Sequence, residues 1–151
     1  MVVSLDLLKK LRAETLAGVS DCRQALEDAN GDYEKAKKLI LARGVEKAAK
    51  KADRKTGAGL IESYVHGGKV GVLVEVQCET DFVARTDAFK ALTHELALQV
   101  ASMNPKDVKT LMKSEYIRDP KLTIEALVKQ TIAKVGENIT IARFTRMAIG
   151  E

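Results

Sequence analysis

The sequence predicts an α+β protein in which three short helices precede a small antiparallel sheet packed with helices. Through the first 44 positions, apolar residues recur at helical spacing, with turn and cap residues between the segments. The spacing changes to a period of two over residues 60–78 and returns to the helical period from residue 87. A chain of 151 residues is long enough for one core and a small additional module.

The three N-terminal helices are bounded by residues with known cap and turn preferences. Ser20 is a candidate cap for the second helix and Asp32 for the third. Asn30-Gly31 is typical of the left-handed turn that ends a helix, and Gly44 is expected to end the third helix.

Residues 45–56 alternate alanine with lysine and have little apolar surface to bury, so they are predicted to form an exposed, basic helical linker. The expected organisation is therefore a helical module over residues 1–44, the linker over 45–56, and an α+β core over 57–151.

The sheet is predicted to start with a hairpin. The strand-like segments Leu60–His66 and Lys69–Cys78 are separated by Gly67-Gly68, a pair that suits a two-residue turn with positive φ. The second segment carries valines on one face and is partly apolar on the other, which indicates a central or partner-covered strand.

The remaining elements follow from the same signals. A long helix is expected over Asp87–Met103, and a last helix between a capping Thr123 and a terminating Gly136. Residues 106–120 are ambiguous and suit a short helix followed by a short strand. A final strand from about residue 138 to 149 breaks its alternation at Arg143-Phe144, which indicates a bulge or a two-sided environment.

The net charge of +4 lies entirely in the first 55 residues, which hold 13 Lys or Arg against 9 Asp or Glu. This distribution suits an acidic protein surface or a nucleic acid as partner, and a solvated helix face explains it equally well. The two cysteines form no Cys-x-x-Cys pair, which suits a reducing cytosol. No apolar run is long enough to cross a bilayer, so a cytoplasmic protein with no membrane partner is expected.

Motifs for catalysis and metal binding are incomplete. His94-Glu95 begins like a zinc-protease helix, but Leu98 stands where the second histidine is required. The Gly67-Gly68-Lys69 string lacks the Ser or Thr and the strand-to-helix setting of a phosphate loop. The chain has only two histidines, so few residues could serve as the base of a hydrolytic triad. We therefore expect no catalytic residues, no metal site, no cofactor and no enzymatic activity.

The segment from Cys78 to Arg85 has no simple structural explanation. It places Phe82 between charged neighbours, after a strand ends and before the long helix begins. Two interpretations are open from the residues alone. Phe82 either packs under its own domain or is an exposed anchor for a partner's pocket.

Several strings together resemble one known family across nearly the whole chain. Glu75–Arg85, with the sequence EVQCETDFVAR, resembles the signature of the elongation factor Ts family. Lys9–Thr15 and Ala17–Leu26 are similar to that family's opening three-helix module, Lys47–Ala52 to its linker, and Ala133–Ile139 to its closing turn.

The resemblance implies a ubiquitin-associated-like N-terminal module and a guanine-nucleotide exchange factor for translation. Its partner would be elongation factor Tu, in the GDP-bound and nucleotide-free forms, without direct contact to nucleic acid. A loop would enter the partner near its switch and magnesium region and displace groups that hold the ion; this loop comprises Thr80, Asp81, Phe82 and Val83. Supporting contacts are expected from Val19, Ser20, His66, Val135 and Gly136.

Two departures from the family pattern stand out. Leu16 occupies a position where the family usually has glycine, and a helical segment between residue 105 and the last helix is largely missing. Because the sheet needs more cover than one hairpin and two helices provide, and similar short members pair through it, a homodimer is expected. The alternative to an exchange factor is a helical docking module fused to a ribosome- or RNA-binding domain.

Overall fold

The computed structural model describes residues 2–151, and it has the expected α+β architecture. The helices of this part of the chain are α1 (Leu5–Thr15), α2 (Val19–Asp28), α3 (Tyr33–Ala49), α4 (Asp81–Ala84), α5 (Asp87–Met103), α6 (Val108–Lys113) and α7 (Ile124–Val135). Its strands are β1 (Ala58–His66), β2 (Val70–Cys78), β3 (Glu115–Tyr116), β4 (Asp119–Thr123) and β5 (Ile139–Ala148).

The main sheet is antiparallel with the order β1-β2-β5, so β2 is the central strand, as the sequence predicts. Cys78 at the end of β2 pairs with Ala58 on one side and with Ile139 on the other. The ambiguous region before α7 contains α6 and a small hairpin of β3 and β4. The second strand of this hairpin begins at Asp119.

Local signals located most boundaries correctly. The turn between β1 and β2 has φ of 57° at Gly67 and 69° at Gly68, as the predicted hairpin requires. Asp32 accepts a hydrogen bond from the backbone N–H of Lys35, and Thr123 caps α7 through Ala126 N–H. Both predicted caps are confirmed.

The predicted irregularity in the last strand is a bulge. Glu75 of β2 pairs with Arg143 of β5, whereas the next residue, Val76, pairs with Ile141. Ala142 is therefore the extra residue, one position before the predicted break at Arg143-Phe144. The bulge keeps Ile141 and Ile139 buried on the core side.

Two apolar clusters form the interior. The N-terminal cluster is built by α1, α2 and α3, and its buried members are Leu8, Leu11, Cys22, Ala25, Leu26, Ala29, Ala36 and Ile40. In the main cluster α5 and α7 cover one face of the sheet. Its fully buried large side chains are Phe89, Leu96, Val100, Leu111, Ile124, Val128, Val74 and Val76.

Three predicted details of the N-terminal region are wrong. Helix α2 begins at Val19 after Gly18, so Ser20 lies inside the helix and does not cap it. Gly44 does not end the third helix, because α3 continues to Ala49 while packing against α7. The predicted exposed linker is wrong in part. Residues 45–49 belong to α3, and Ala48 among them is only 2% exposed and packs in the main core cluster, although Glu46, Lys47 and Ala49 are exposed.

The opposite face of the main sheet, here called the outer face, has exposed apolar side chains. Ile61 and Val65 of β1, Leu73 of β2 and Met147 of β5 are each more than half exposed. They follow the strict alternation of the strands, with their neighbours in sequence directed toward the helices. This apolar surface has no cover within residues 2–151.

Candidate functional site

The segment after β2 is a short helix whose two sides have different environments. Thr80 precedes α4 and caps it, since its hydroxyl accepts a hydrogen bond from Val83 N–H at 3.3 Å. Val83 and Ala84 are buried in the main core. Helix α4 is thus anchored on one side and presents its other residues to solvent.

Phe82 is 80% exposed, although it is a large apolar residue in a well-anchored segment. Burying an aromatic ring is one of the larger favourable terms in folding, so a ring left in water is informative about function. The interpretation in which Phe82 packs under its own domain is wrong. The neighbouring Asp81 is also exposed, which places a carboxylate beside the ring.

Glu137 clamps this segment from the turn between α7 and β5. Its Oε1 accepts a hydrogen bond from Thr80 N–H at 3.0 Å, and its Oε2 accepts one from the Thr80 hydroxyl at 2.8 Å. Both oxygens of the Glu137 carboxylate therefore accept hydrogen bonds from Thr80. Hydrogen bonds to an ionised acceptor are stronger than neutral ones, so this contact holds the start of α4 firmly.

Asn138 extends the clamp to the chain segment that follows α3. Its side chain is buried, and its Nδ2 donates to the carbonyl oxygens of Ala52 at 3.3 Å and Arg54 at 2.8 Å. Its backbone N–H donates to Glu79 Oε1 at 2.8 Å. Three distant parts of the chain therefore meet at Asn138, and one of them, Glu79, lies two residues before Asp81 in the sequence.

Cys78 lies beneath the same segment. Its buried thiol donates to the carbonyl oxygen of Thr80 at 3.2 Å. Burial raises the pKa of this thiol, so it remains protonated at neutral pH and keeps its donor role. The contact adds a third connection that fixes the backbone at Thr80.

Comparison with known proteins identifies the family to which this architecture belongs. The family model described as Elongation factor TS matches residues 79–151. Elongation factor Ts from Coprothermobacter proteolyticus is 41% identical over 197 residues, covering all of both chains. The Thermotoga maritima protein is 41% identical over 195 residues, covering all of this chain and 98% of its own. The chain belongs to the elongation factor Ts family.

Membership of the elongation factor Ts family makes this chain a translation elongation factor in protein biosynthesis. A further relative, from Fervidobacterium nodosum, is 40% identical over 197 residues, again covering both chains fully. Because the alignments reach 197 positions and this chain has 151 residues, 46 of those positions lie opposite gaps in this chain. A shorter chain than the aligned length agrees with the missing segment noted in the sequence.

The structure brings some of the predicted contact residues together. Gly136, with φ of 77°, ends α7 directly before Glu137, so Gly136 and the half-buried Val135 lie at the same end of the sheet as Phe82. His66 lies at the other end, because it pairs with Val70 at the start of β2. The length of β2 separates the two ends by about 27 Å, so His66 cannot support α4 directly.

Val19 and Ser20 are exposed at the start of α2. Their neighbours Gly18 and Asp21 line a cleft whose other side includes Lys134 of α7. The cleft therefore lies between the N-terminal helices and α7, the helix that precedes Glu137. Val19 is 47% exposed, so it does not pack fully inward.

Sequence reasoning assigned no role to Glu79, Glu137 or Asn138. Glu137 and Asn138 were visible as part of a family-like closing turn, but their partners lie 57 to 86 residues away along the chain. Such contacts leave no local pattern. Within residues 2–151 no group of His, Cys, Asp or Glu could hold a metal ion, and no helix is long and apolar enough to cross a membrane.

Proposed function

We propose that this chain is a guanine-nucleotide exchange factor for elongation factor Tu. It binds the GDP-bound and nucleotide-free forms and promotes GDP release by inserting the loop of residues 80–83 near the switch and magnesium region, with the exposed Asp81 and Phe82 as the contacting side chains. The observation that carries the proposal is Phe82, an 80% exposed aromatic on a helix anchored by Val83. Membership of the elongation factor Ts family supports the choice of partner.

The proposed mechanism uses contact alone and no covalent step. Phe82 enters an apolar cleft of the partner, where a rigid ring both gains burial and holds helices apart. The carboxylate of Asp81 then competes electrostatically for groups that hold the magnesium ion, and GDP loses a charge partner. Val83 is buried, so its role is to anchor the wedge rather than to touch the partner.

The energetics follow from linkage. A factor that weakens GDP binding to Tu must be bound less tightly by the same ratio when GDP is present. A shift of about 10⁴-fold corresponds to roughly 5.5 kcal/mol of differential contact with the two states. This energy has to come from interactions made only with the distorted, nucleotide-free partner.

The proposed organisation keeps a helical partner-binding module over residues 1–44 and an α+β core over 57–151. The module is ubiquitin-associated-like in our proposal, and residues 45–56 join the two. The exposed Val19 and Ser20 are assigned to contact with the partner's nucleotide-binding domain, with Val135 and Gly136 supporting the loop. His66 is assigned a separate partner contact at the far end of the sheet.

Release of a fluorescent GDP analogue from purified elongation factor Tu tests the function. We expect acceleration that saturates with micromolar concentrations of this chain, and no GTP hydrolysis by the chain alone. Release at the spontaneous rate would overturn the proposal. A salt-dependent RNA gel shift without a Tu complex would instead support the docking module fused to an RNA-binding domain.

A homodimer through the outer face is part of the proposal. Ile61, Val65, Leu73 and Met147 leave four large apolar side chains exposed on one face of the sheet, beside the ion pair of Glu75 and Arg143. A second copy placing the same face against it would bury these side chains symmetrically.

A further inference from the structure

Glu137 and Thr80 form a contact that the proposed mechanism does not use. They are 57 residues apart in the chain, and Thr80 is the residue immediately before the helix that carries Asp81 and Phe82. Glu137 itself is half-buried in the turn after α7. The Glu137 carboxylate therefore acts on α4 indirectly, through its hydrogen bonds to Thr80.

The Thr80 hydroxyl connects Glu137 to α4 through two consecutive hydrogen bonds. It donates to Glu137 Oε2 at 2.8 Å and accepts from Val83 N–H at 3.3 Å. Because the hydroxyl hydrogen points to the Glu137 carboxylate, a lone pair of the Thr80 hydroxyl oxygen is free to accept the Val83 N–H of α4. Thr80 N–H is held by the same carboxylate at 3.0 Å.

Helix α4 needs such external support. It has four residues, Asp81–Ala84, and a helix this short cannot stabilise its own direction, because forming a first turn is unfavourable. Val83 fixes one side of the turn by burial. The orientation of the ring of Phe82 then depends on how the first residue of the turn is held.

We infer that Glu137 is a positioning residue that sets the orientation of α4, and with it Phe82, before the partner is met. The inference rests on the proposed exchange function. A loop already held in its inserting geometry does not have to be ordered on binding, so the contact energy goes into distortion of the partner. Loss of the carboxylate leaves the ring present and mobile.

Glu137→Ala removes both acceptors, whereas Glu137→Gln keeps an acceptor oxygen for Thr80 N–H. We expect Glu137→Ala to lower the maximal rate of GDP release about five- to tenfold, with a smaller change in the half-saturating concentration. Glu137→Gln should recover part of the rate. Glu125→Gln is the matched control, because Glu125 is an exposed carboxylate on α7 that pairs with Lys129 across the helix surface.

A double-mutant comparison of Glu137 and Phe82 distinguishes a positioning role of Glu137 from a role in stability alone. Glu137 acts through the ring, so Phe82→Ala should lower the exchange rate less in the Glu137→Ala background than in the natural chain. Additive effects, with a lower melting temperature that accounts for the lost rate, would overturn the inference.

Hydrogen exchange of the backbone amides of Val83 and Ala84, which are hydrogen-bonded to Thr80, supplies a readout that does not require elongation factor Tu. Glu137→Ala should increase this exchange at least severalfold while leaving β2 protected. Unchanged protection in α4 would overturn the inference even where the natural chain releases GDP. A natural chain that fails to release GDP would overturn the proposed function, and the amide measurement would still decide the role of Glu137.

Discussion

A Cβ atom placed on Gly44 would lie 2.8 Å from the Cβ of Ala133, the point where α3 crosses α7. Carbon atoms do not approach this closely, so the two helices can pack as they do only with glycine at this position. Gly44 therefore serves helix packing rather than helix termination. The contact connects the N-terminal helices to the helix that leads to Glu137.

Gly44→Ala should destabilise the protein by about 1–3 kcal/mol. The steric overlap with Ala133 costs more than the roughly 1 kcal/mol by which alanine is favoured over glycine inside a helix. Urea unfolding measures the difference. Adding Ala133→Gly should restore part of the loss by removing the clashing atom. A single Gly44→Ala variant that is more stable than the natural chain would contradict the close packing.

Phe82→Ala should change the free energy of unfolding by less than about 0.5 kcal/mol, since the ring is exposed. GDP release from elongation factor Tu should slow at least tenfold, as expected for an aromatic anchor. Phe89→Ala is the contrasting variant, because Phe89 is fully buried and its truncation should cost about 3–5 kcal/mol. Thermal unfolding and exchange kinetics, measured in parallel, separate the two phenylalanines. Exchange that survives Phe82→Ala would refute the wedge.

Asp81→Ala should slow GDP release less when magnesium is absent than when it is present, because the proposed role of the carboxylate is to compete for the ion's partners. Stability should be unaffected, since Asp81 is exposed. Stopped-flow release with and without a chelator makes the comparison. An equal effect in both conditions would assign Asp81 to direct contact alone.

Leu16→Gly should stabilise the chain by about 0.5–1 kcal/mol. Leu16 ends α1 with φ of 57°, a left-handed conformation that costs a leucine about 1–2 kcal/mol. Glycine removes this strain, but its greater conformational freedom in the unfolded state offsets part of the gain. The melting temperature should rise by about 1–4 °C. Ala13→Gly within the same helix should act in the opposite direction. A destabilising Leu16→Gly would show that the half-exposed side chain contributes more than the backbone strain costs.

Leu73→Lys should convert the proposed homodimer to a monomer, because it places a charge at the centre of the apolar outer face. Light scattering on a concentration series gives the mass directly. Ile117→Lys is the control, since Ile117 is an exposed apolar residue on the β3–β4 hairpin, outside that face. A natural chain that is monomeric at high concentration would end the dimer proposal.

The sequence predicted those parts of the fold that local chemistry determines. Asp32 and Thr123 cap their helices, and Gly67-Gly68 turns the hairpin, because each acts on residues at most a few positions away. The end of α3 could not be predicted in this way. A glycine that stops a helix and a glycine that admits a neighbouring helix are identical in sequence, and only the position of Ala133 distinguishes them.

The same limit applies to the candidate site. Its exposed residues, Asp81 and Phe82, stood out because an aromatic among charges is locally unusual. The groups that hold them were not visible, since Glu137 and Asn138 reach their partners only after the sheet has formed. No local pattern in the sequence indicates which distant carbonyl or hydroxyl a polar side chain will meet.

The position of β5 in the sheet has a consequence for the order in which the protein is made. The three N-terminal helices and the β1–β2 hairpin contain their own partners, so they can form while later residues are still being added. Strand β5 and the preceding turn are synthesised last among these elements, and they bring Glu137 to Thr80. On a translating ribosome, the segment bearing Phe82 therefore lacks its two hydrogen bonds to Glu137 until the turn before the last strand has emerged from the exit tunnel.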